Sequence, residues 1–186
     1  MKTFELRSIK TAGGEETPRF EAKIFYDGRE VAHVHNDGNG GCCFDRWNDK
    51  RAERAFYEWV IPAYRARTER TPVDTNPYNM VTDEKTGKKV SLDVWHKQHV
   101  KDSTDKQLTS SALDSWLFWN LDNHDERAKL RRKMKKSTLF RTEDMAPGDW
   151  RQLSVPTGDP RVKAWLEKNK LSHATVFDGE LPASSY

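Results

Sequence analysis

Apolar and polar residues alternate along the first quarter of the chain and then fall into a three- and four-residue rhythm, so the sequence reads as strands followed by helices. Phe4 and Leu6, with Ser8 beyond them, alternate with Glu5 and Arg7 ahead of a polar Gly13-Gly14-Glu15-Glu16 loop. Phe20, Ala22, Ile24 and Tyr26 then alternate with Glu21, Lys23 and Phe25, the period of a half-buried strand. Asp27-Gly28 predicts a hairpin turn, because both central positions of a type I′ turn need positive φ. Val31 to His35 returns as the partner, with Ala32 and Val34 on one face and Val31, His33 and His35 on the other. A looser turn, Asn36 to Gly41, leads into a further strand from Cys42 to Trp47, completing a meander over residues 1–47.

The rhythm changes at Asp49, which suits a helix N-cap. Ala52, Ala55, Phe56, Trp59, Val60, Ala63 and Tyr64 follow at helical spacing and predict an amphipathic helix over 49–67. Pro62 near its end predicts a kink, since proline lacks the backbone donor and crowds the preceding turn. Residues 68–90 are polar, carry Pro72, Pro77 and Gly87, and read as a long loop of the kind that is often functional. The segment 91–136 reads as helical. A short helix capped by Ser91 carries Leu92, Trp95 and His99, and a longer one from about Ser110 to Lys135 carries Leu113, Trp116, Leu117, Asn120, Leu121, His124 and Ala128. Residues 137–186 are mixed, with strands at 138–142, 150–155 and 175–177. Between them Asp159-Pro160 opens a helix bearing Val162, Trp165 and Leu166.

These elements define an α+β class in one domain: an antiparallel N-terminal sheet covered by amphipathic helices, with the C-terminal strands returning to that sheet. Composition supports a folded chain. Lys and Arg number 32 against 29 Asp and Glu, a net +3 in 186 residues, too small for a charge-driven disordered chain. Seven Trp, five Tyr and eight Phe supply large buried areas to a core with modest aliphatic content. No apolar run approaches the roughly 18 residues of a membrane span. The N-terminal MKTFELRSIK lacks the continuous apolar stretch of a secretory signal. Cys42 and Cys43 are adjacent and ill-placed to bridge, so the expected state is reduced and the expected compartment cytoplasmic.

Candidate chemistry is sparse. His33 and His35, two apart on a strand, project from one face, and Cys42 or Cys43 across the turn could join them as zinc ligands. The alternative is an exposed polar sheet face. The glycines of Asn36–Gly41 precede a strand where a phosphate loop would precede a helix, which favours a structural turn. His96 and His99 sit at neighbouring helical positions but miss the zincin spacing. His124, flanked by Asp122 and Asp125, reads as a buried histidine satisfied by Asn120. No complete catalytic set is legible, which leans away from an enzyme, and no cofactor is implied.

From Arg127 to Lys136, seven residues of ten are basic: Arg127, Lys129, Arg131, Arg132, Lys133, Lys135 and Lys136. At helical spacing they surround the helix, and such density binds phosphates by counterion release. Arg141, Arg151 and Arg161 would add to it if they fold nearby. An acidic protein surface is an equally suitable electrostatic partner. Trp59, Trp95, Trp116 and Trp165 fall on apolar stripes and are expected in the core. Trp119, with Phe118, lies off the long helix's stripe, in an interface or on a second core face.

The segment Phe20 to Gly41, read with Lys135 to Arg141, Trp150 and Val162 to Leu166, resembles small uncharacterised proteins of bacteriophages and bacterial genomes. That resemblance implies a shared fold and one functional class: a non-enzymatic inhibitor that antagonises a bacterial defence system, anti-CRISPR or similar, by binding a host protein or complex in the host cytoplasm. Its contacts are expected from the basic helix end, the Trp119 region and the 68–90 loop. Nucleic-acid binding through residues 127–136 is the alternative, and metal-dependent hydrolysis a third reading.

Overall fold

The computed structural model describes residues 3–73, 76, 79–84, 86–145 and 149–179. Pro77 and the polar tail beyond residue 179 lie outside the described residues. The fold is α+β, and the chain divides into two compact units, Met1–Trp119 and Asn120–Ser185.

The first unit opens with strands β1 (Phe4–Ala12), β2 (Arg19–Tyr26), β3 (Arg29–Asn36) and β4 (Phe44–Trp47), an antiparallel sheet in that order. Asp27 and Gly28 both adopt the positive φ of a type I′ turn, 53° and 78°. Two bulges adjust the register: one in β1 between Arg7 and Lys10, where Ser8 is left-handed (φ 55°), and one where β2 passes from Ile24 to Phe25. The second gives β3 an extra residue, so both Val31 and Ala32 are buried. Cys42 and Cys43 precede β4 and do not belong to it, contrary to the expected Cys42–Trp47 strand.

Phe20, Ala22, Ile24, Ala32 and Val34 form the buried face. Helix α1 (Lys50–Arg70) covers it through Phe56, whose ring lies 5.1 Å from Phe4 and 5.3 Å from Trp47. Asp49 caps α1 as expected, accepting from the backbone of Arg51 and Ala52, and those bonds lower its carboxyl pKa. The helix runs on past Pro62 and ends at Arg70, beyond the expected limit. Trp116 and Phe118 reach the same core from α3 (Asp105–Met134), packing on Phe56 and Phe20 at 5.1 and 6.3 Å. This helix starts earlier than its apolar stripe suggests. Gln107 caps its start, Oε1 accepting from the Thr104 backbone N–H at 2.8 Å and from Thr104 Oγ1 at 2.7 Å, one half of a capping box.

The segment 68–90, expected as a loop, contains secondary structure. Strands β5 (Met80–Thr82) and β6 (Lys89–Ser91) form a hairpin that leads into α2 (Leu92–Asp102), capped by Ser91 as expected. Arg65 on α1 fixes the α2–α3 corner, its Nη2 donating to Ser103 O at 2.7 Å and to Asp105 Oδ1 at 2.9 Å.

The second unit contains the end of α3, strands β7 (Thr138–Arg141), β8 (Arg151–Leu153) and β9 (Thr175–Val176), and helix α4 (Pro160–Lys168). Its strands form their own sheet, ordered β8-β7-β9, and do not return to the N-terminal sheet. Side-chain alternation along β7 gives the reason. Leu139 packs with Leu130 and Phe177, and Phe140 with Val162 and Leu166, so each face of β7 already has a cover. Asp159 caps α4 as expected. Its carboxyl is held down to about 2, first by the Arg161 guanidinium and then by the Arg161 backbone N–H.

Candidate interaction surfaces

The uncovered face of the N-terminal sheet is organised in cross-strand rows. Register places Arg7 opposite Lys23, Lys23 opposite His33 and His33 opposite Arg46, one basic residue from each strand. At the usual strand spacing that row is about 14 Å long. The next row runs Lys10, Glu21, His35 and Phe44, and on the other side lie Glu5, Phe25 and Glu30. Two of the carboxylates are engaged: Glu5 accepts from Arg7 at 2.6 Å and Glu30 from Lys23 at 2.7 Å. The Arg7 guanidinium also lies 4.8 Å from the Phe25 ring centre. At the β4 end, Phe44 is 59% exposed and stacks on His35 at 5.1 Å and 19°. Asp45, next in the chain, points to the other face and accepts from Trp47 Nε1 and Tyr57 Oη. Burial and that carboxylate push the Tyr57 phenol pKa up.

His33 and His35 share this face as the alternation requires, with ring centres 6.2 Å apart. No thiol completes a metal site with them. Among the described residues no three His, Cys, Asp or Glu side chains are placed to hold an ion. Cys42 is exposed, whereas Cys43 is buried between Asn36 and Asp114, whose carboxylate accepts from the Cys43 backbone at 2.9 Å. Burial, with Asp114 adding to it, raises the Cys43 thiol pKa to about 12. Thiolate is the reactive form, so a thiol reagent at about pH 8 should label Cys42 alone. Peptide mapping should find both residues modified only after unfolding; equal native labelling would contradict this packing.

The Asn36–Gly41 segment is a structural turn. The carbonyl of Gly38 accepts from the backbone N–H groups of Glu15, Glu16 and Thr17 at 2.9 to 3.3 Å, so amides suited to an anion are already filled from within.

A second surface lies where the β5–β6 hairpin meets α2. Met80, Leu92, Val94 and Trp95 are 40, 47, 43 and 38% exposed. Met80 pairs with Ser91, and the Leu92 backbone donates to Asn79 O, which brings the hairpin and the first turn of α2 together. Trp95 is therefore not a core residue; it stacks on His99 at 5.2 Å. Trp59 and Trp165 are similarly 38 and 39% exposed, and only Trp116 of the four expected core tryptophans is buried. Helical spacing locates a stripe, but the edge of a stripe faces solvent when its covering layer ends there.

Behind α2, His96 Nε2 lies 3.1 Å from Tyr64 Oη beside a cavity of about 210 Å³ that Thr68, Asp93, Lys97 and Ser115 also line. Burial raises the Tyr64 phenol pKa. Lys97 Nζ donates to Glu69 O at 2.6 Å, which ties α2 back to α1.

In the second unit the basic run spans the end of α3 and the turn after it. Lys129, Arg131, Arg132, Lys133, Lys135 and Lys136 are exposed, while Arg127 is half-buried. The charges do not surround the helix completely, because Leu130 is buried and Met134 packs on the same cluster. Arg131 Nε donates to Gly179 O at 2.7 Å. Arg161 is forked onto Asp159, and Arg141 lies 6.0 Å from the Trp150 ring centre. His124 is exposed, not buried as expected, with Nδ1 3.4 Å from Asp125 Oδ1. Trp119 and Phe118, in the first unit, are half-buried, and Phe118 meets Phe20.

The class these features define is an α+β chain whose sheet leaves one face to solvent. No family model matches the chain, and no curated protein or solved structure matches it significantly. None of its helices is long and apolar enough, among the described residues, to cross a membrane.

Proposed function

We propose that the chain is a binding protein of phage or mobile-element type that antagonises a bacterial defence assembly by occupying a protein surface. The observation that supports this reading best is the exposed apolar patch of Met80, Leu92, Val94 and Trp95. Tryptophan is among the residue types that most often dominate binding energy at protein interfaces. The patch falls on the 68–90 segment and the helix that follows it. Exposed Lys88 and Lys89 stand at the start of β6 beside it, and Asp93 lies between Leu92 and Val94, so its complement is an apolar pocket with a polar, mixed-charge rim.

Trp95→Asp and Leu92→Asp test the reading, because both side chains are exposed, and an unchanged thermal midpoint checks that each variant folds. Wild-type protein immobilised against lysate of a defence-proficient host should retain a partner that both variants lose. Affinity for that partner should fall about thirtyfold for Trp95→Asp, the effect of one interface hot spot. Equal recovery by all three proteins, or none by any, defeats the proposal.

The exposed cations of Lys129–Lys136 support a second reading, nucleic-acid binding by the end of α3. It requires affinity that falls steeply with salt and drops when Arg132, Lys133 and Lys136 are neutralised.

A further inference from the structure

We infer that the β3–β4 end of the open sheet face, formed by His33, His35, Phe44 and Arg46, is a binding site for single-stranded nucleic acid. Phe44 carries this inference. Phe44 is 59% exposed on an edge strand, and the aromatic contact it makes is the cross-strand stack on the His35 imidazole, which leaves much of its ring to solvent. Aromatic side chains standing on an open antiparallel sheet are the surface on which unstacked bases lie, whatever their sequence, because every base has a π-face.

Charge next to the ring fits the same occupant. Arg46 stands two residues along β4 from Phe44, on the same face, and has no ion-pair partner among the described residues. Its cross-strand neighbour is His33, followed by Lys23 and Arg7, so a row of nitrogen-bearing side chains crosses the sheet from β4 to β1, with Lys23 and Arg7 ion-paired and Arg46 at its end not. Glu5 and Glu30, in the row on one side, are bonded to Arg7 and Lys23, and Glu21 stands on the other side, across from His35 in the row that ends at Phe44. Asp45, the acid nearest in sequence, is drawn to the opposite face by Trp47 and Tyr57. A base stacked on Phe44 thus has Arg46 and His33 within reach of its phosphates. A duplex does not fit this chemistry, because its bases are stacked internally and present no free faces.

The test is fluorescence anisotropy of the full chain with end-labelled oligonucleotides about twelve nucleotides long, as oligo-dT, oligo-rU and a duplex of equal length. Salt-dependent binding of a single strand, tighter than binding of the duplex, is expected. The oligo-dT and oligo-rU arms establish which sugar is preferred. Phe44→Ala should weaken single-strand binding about tenfold, and Phe44→Tyr should restore it, because the phenol keeps the stacking face. Arg46→Gln should weaken it about fivefold and reduce the slope of log affinity against log salt by about 0.7, the value of one phosphate contact on a single strand. Both residues are exposed, so unchanged thermal midpoints are expected and keep the comparison interpretable. In the background of the combined Arg132→Gln, Lys133→Gln and Lys136→Gln variant, Phe44→Ala should still weaken single-strand binding by the same factor. Undetectable binding at low salt, equal affinity for duplex, or binding lost in the triple variant and retained in Phe44→Ala would each overturn the inference.

Discussion

Phe56→Ala is expected to destabilise the first unit by about 4 kcal/mol, the loss typical of a large aromatic removed from a core that cannot close over the gap. Phe56 is wholly buried, and its ring meets Phe4, Trp47, Tyr57, Trp59 and Trp116 at centroid distances from 5.1 to 5.9 Å. Several of these contacts are edge-to-face, a geometry that alanine cannot reproduce. Rigid neighbours from β1, β4, α1 and α3 surround the site, so a cavity persists. Urea unfolding followed by tryptophan fluorescence should show a lower midpoint with unchanged slope. A loss below about 1 kcal/mol would mean that the aromatic cluster does not join sheet and helices.

The second large effect is expected at Asn36, which is 2% exposed and joins two turns. Its Oδ1 accepts from Thr17 Oγ1 at 2.9 Å and from the Gly38 backbone at 2.8 Å, and its Nδ2 reaches Gly41 O at 3.4 Å. Alanine removes all three and leaves buried donors without partners, a cost of about 3 kcal/mol. Gly38 cannot rearrange freely to compensate. Its φ is +85°, and an ideal Cβ there would lie 2.8 Å from the Gly14 Cα. Hydrogen exchange should therefore show faster loss of protection at Gly38 and at Glu15 to Thr17 in Asn36→Ala. Protection equal to wild type would show that the turn does not depend on the amide. Because this turn delivers the chain to β4, the variant should also weaken single-strand binding without touching Phe44.

Much of the local structure is legible in residue patterns because it depends on local physics. The Asp27-Gly28 turn, the Asp49, Ser91 and Asp159 caps, and the alternation that buries Phe20, Ala22 and Ile24 each follow from a few neighbouring residues. The early start of α3 has a signal in the Thr104-x-x-Gln107 spacing, which lies ahead of the apolar stripe. Met80–Thr82 and Lys89–Ser91 are too short for alternation to register, so their hairpin passes for loop until the two strands are seen to pair. Trp95 misleads for a different reason. Its spacing with Leu92 and His99 is that of a buried stripe, and nothing in the spacing says whether a layer covers it.

The candidate surfaces depended still more on the third dimension. His33 and His35 are legible as same-face neighbours, but the residues beside them on that face come from other strands. Arg7, Lys23 and Arg46 are separated in sequence by the lengths of two hairpins, and one residue of slippage would send any of them to the opposite face.

Periodicity, caps and turn chemistry thus determined from sequence alone that this chain builds an antiparallel meander followed by amphipathic helices. Tertiary structure decided which sheet face stays open, that β7 finds cover on both faces within its own unit, and that Phe44 and Arg46 stand beside the two histidines. The reason is physical: periodicity is a property of neighbours along the chain, whereas register, bulges and coverage follow from distant segments competing for the same buried surface.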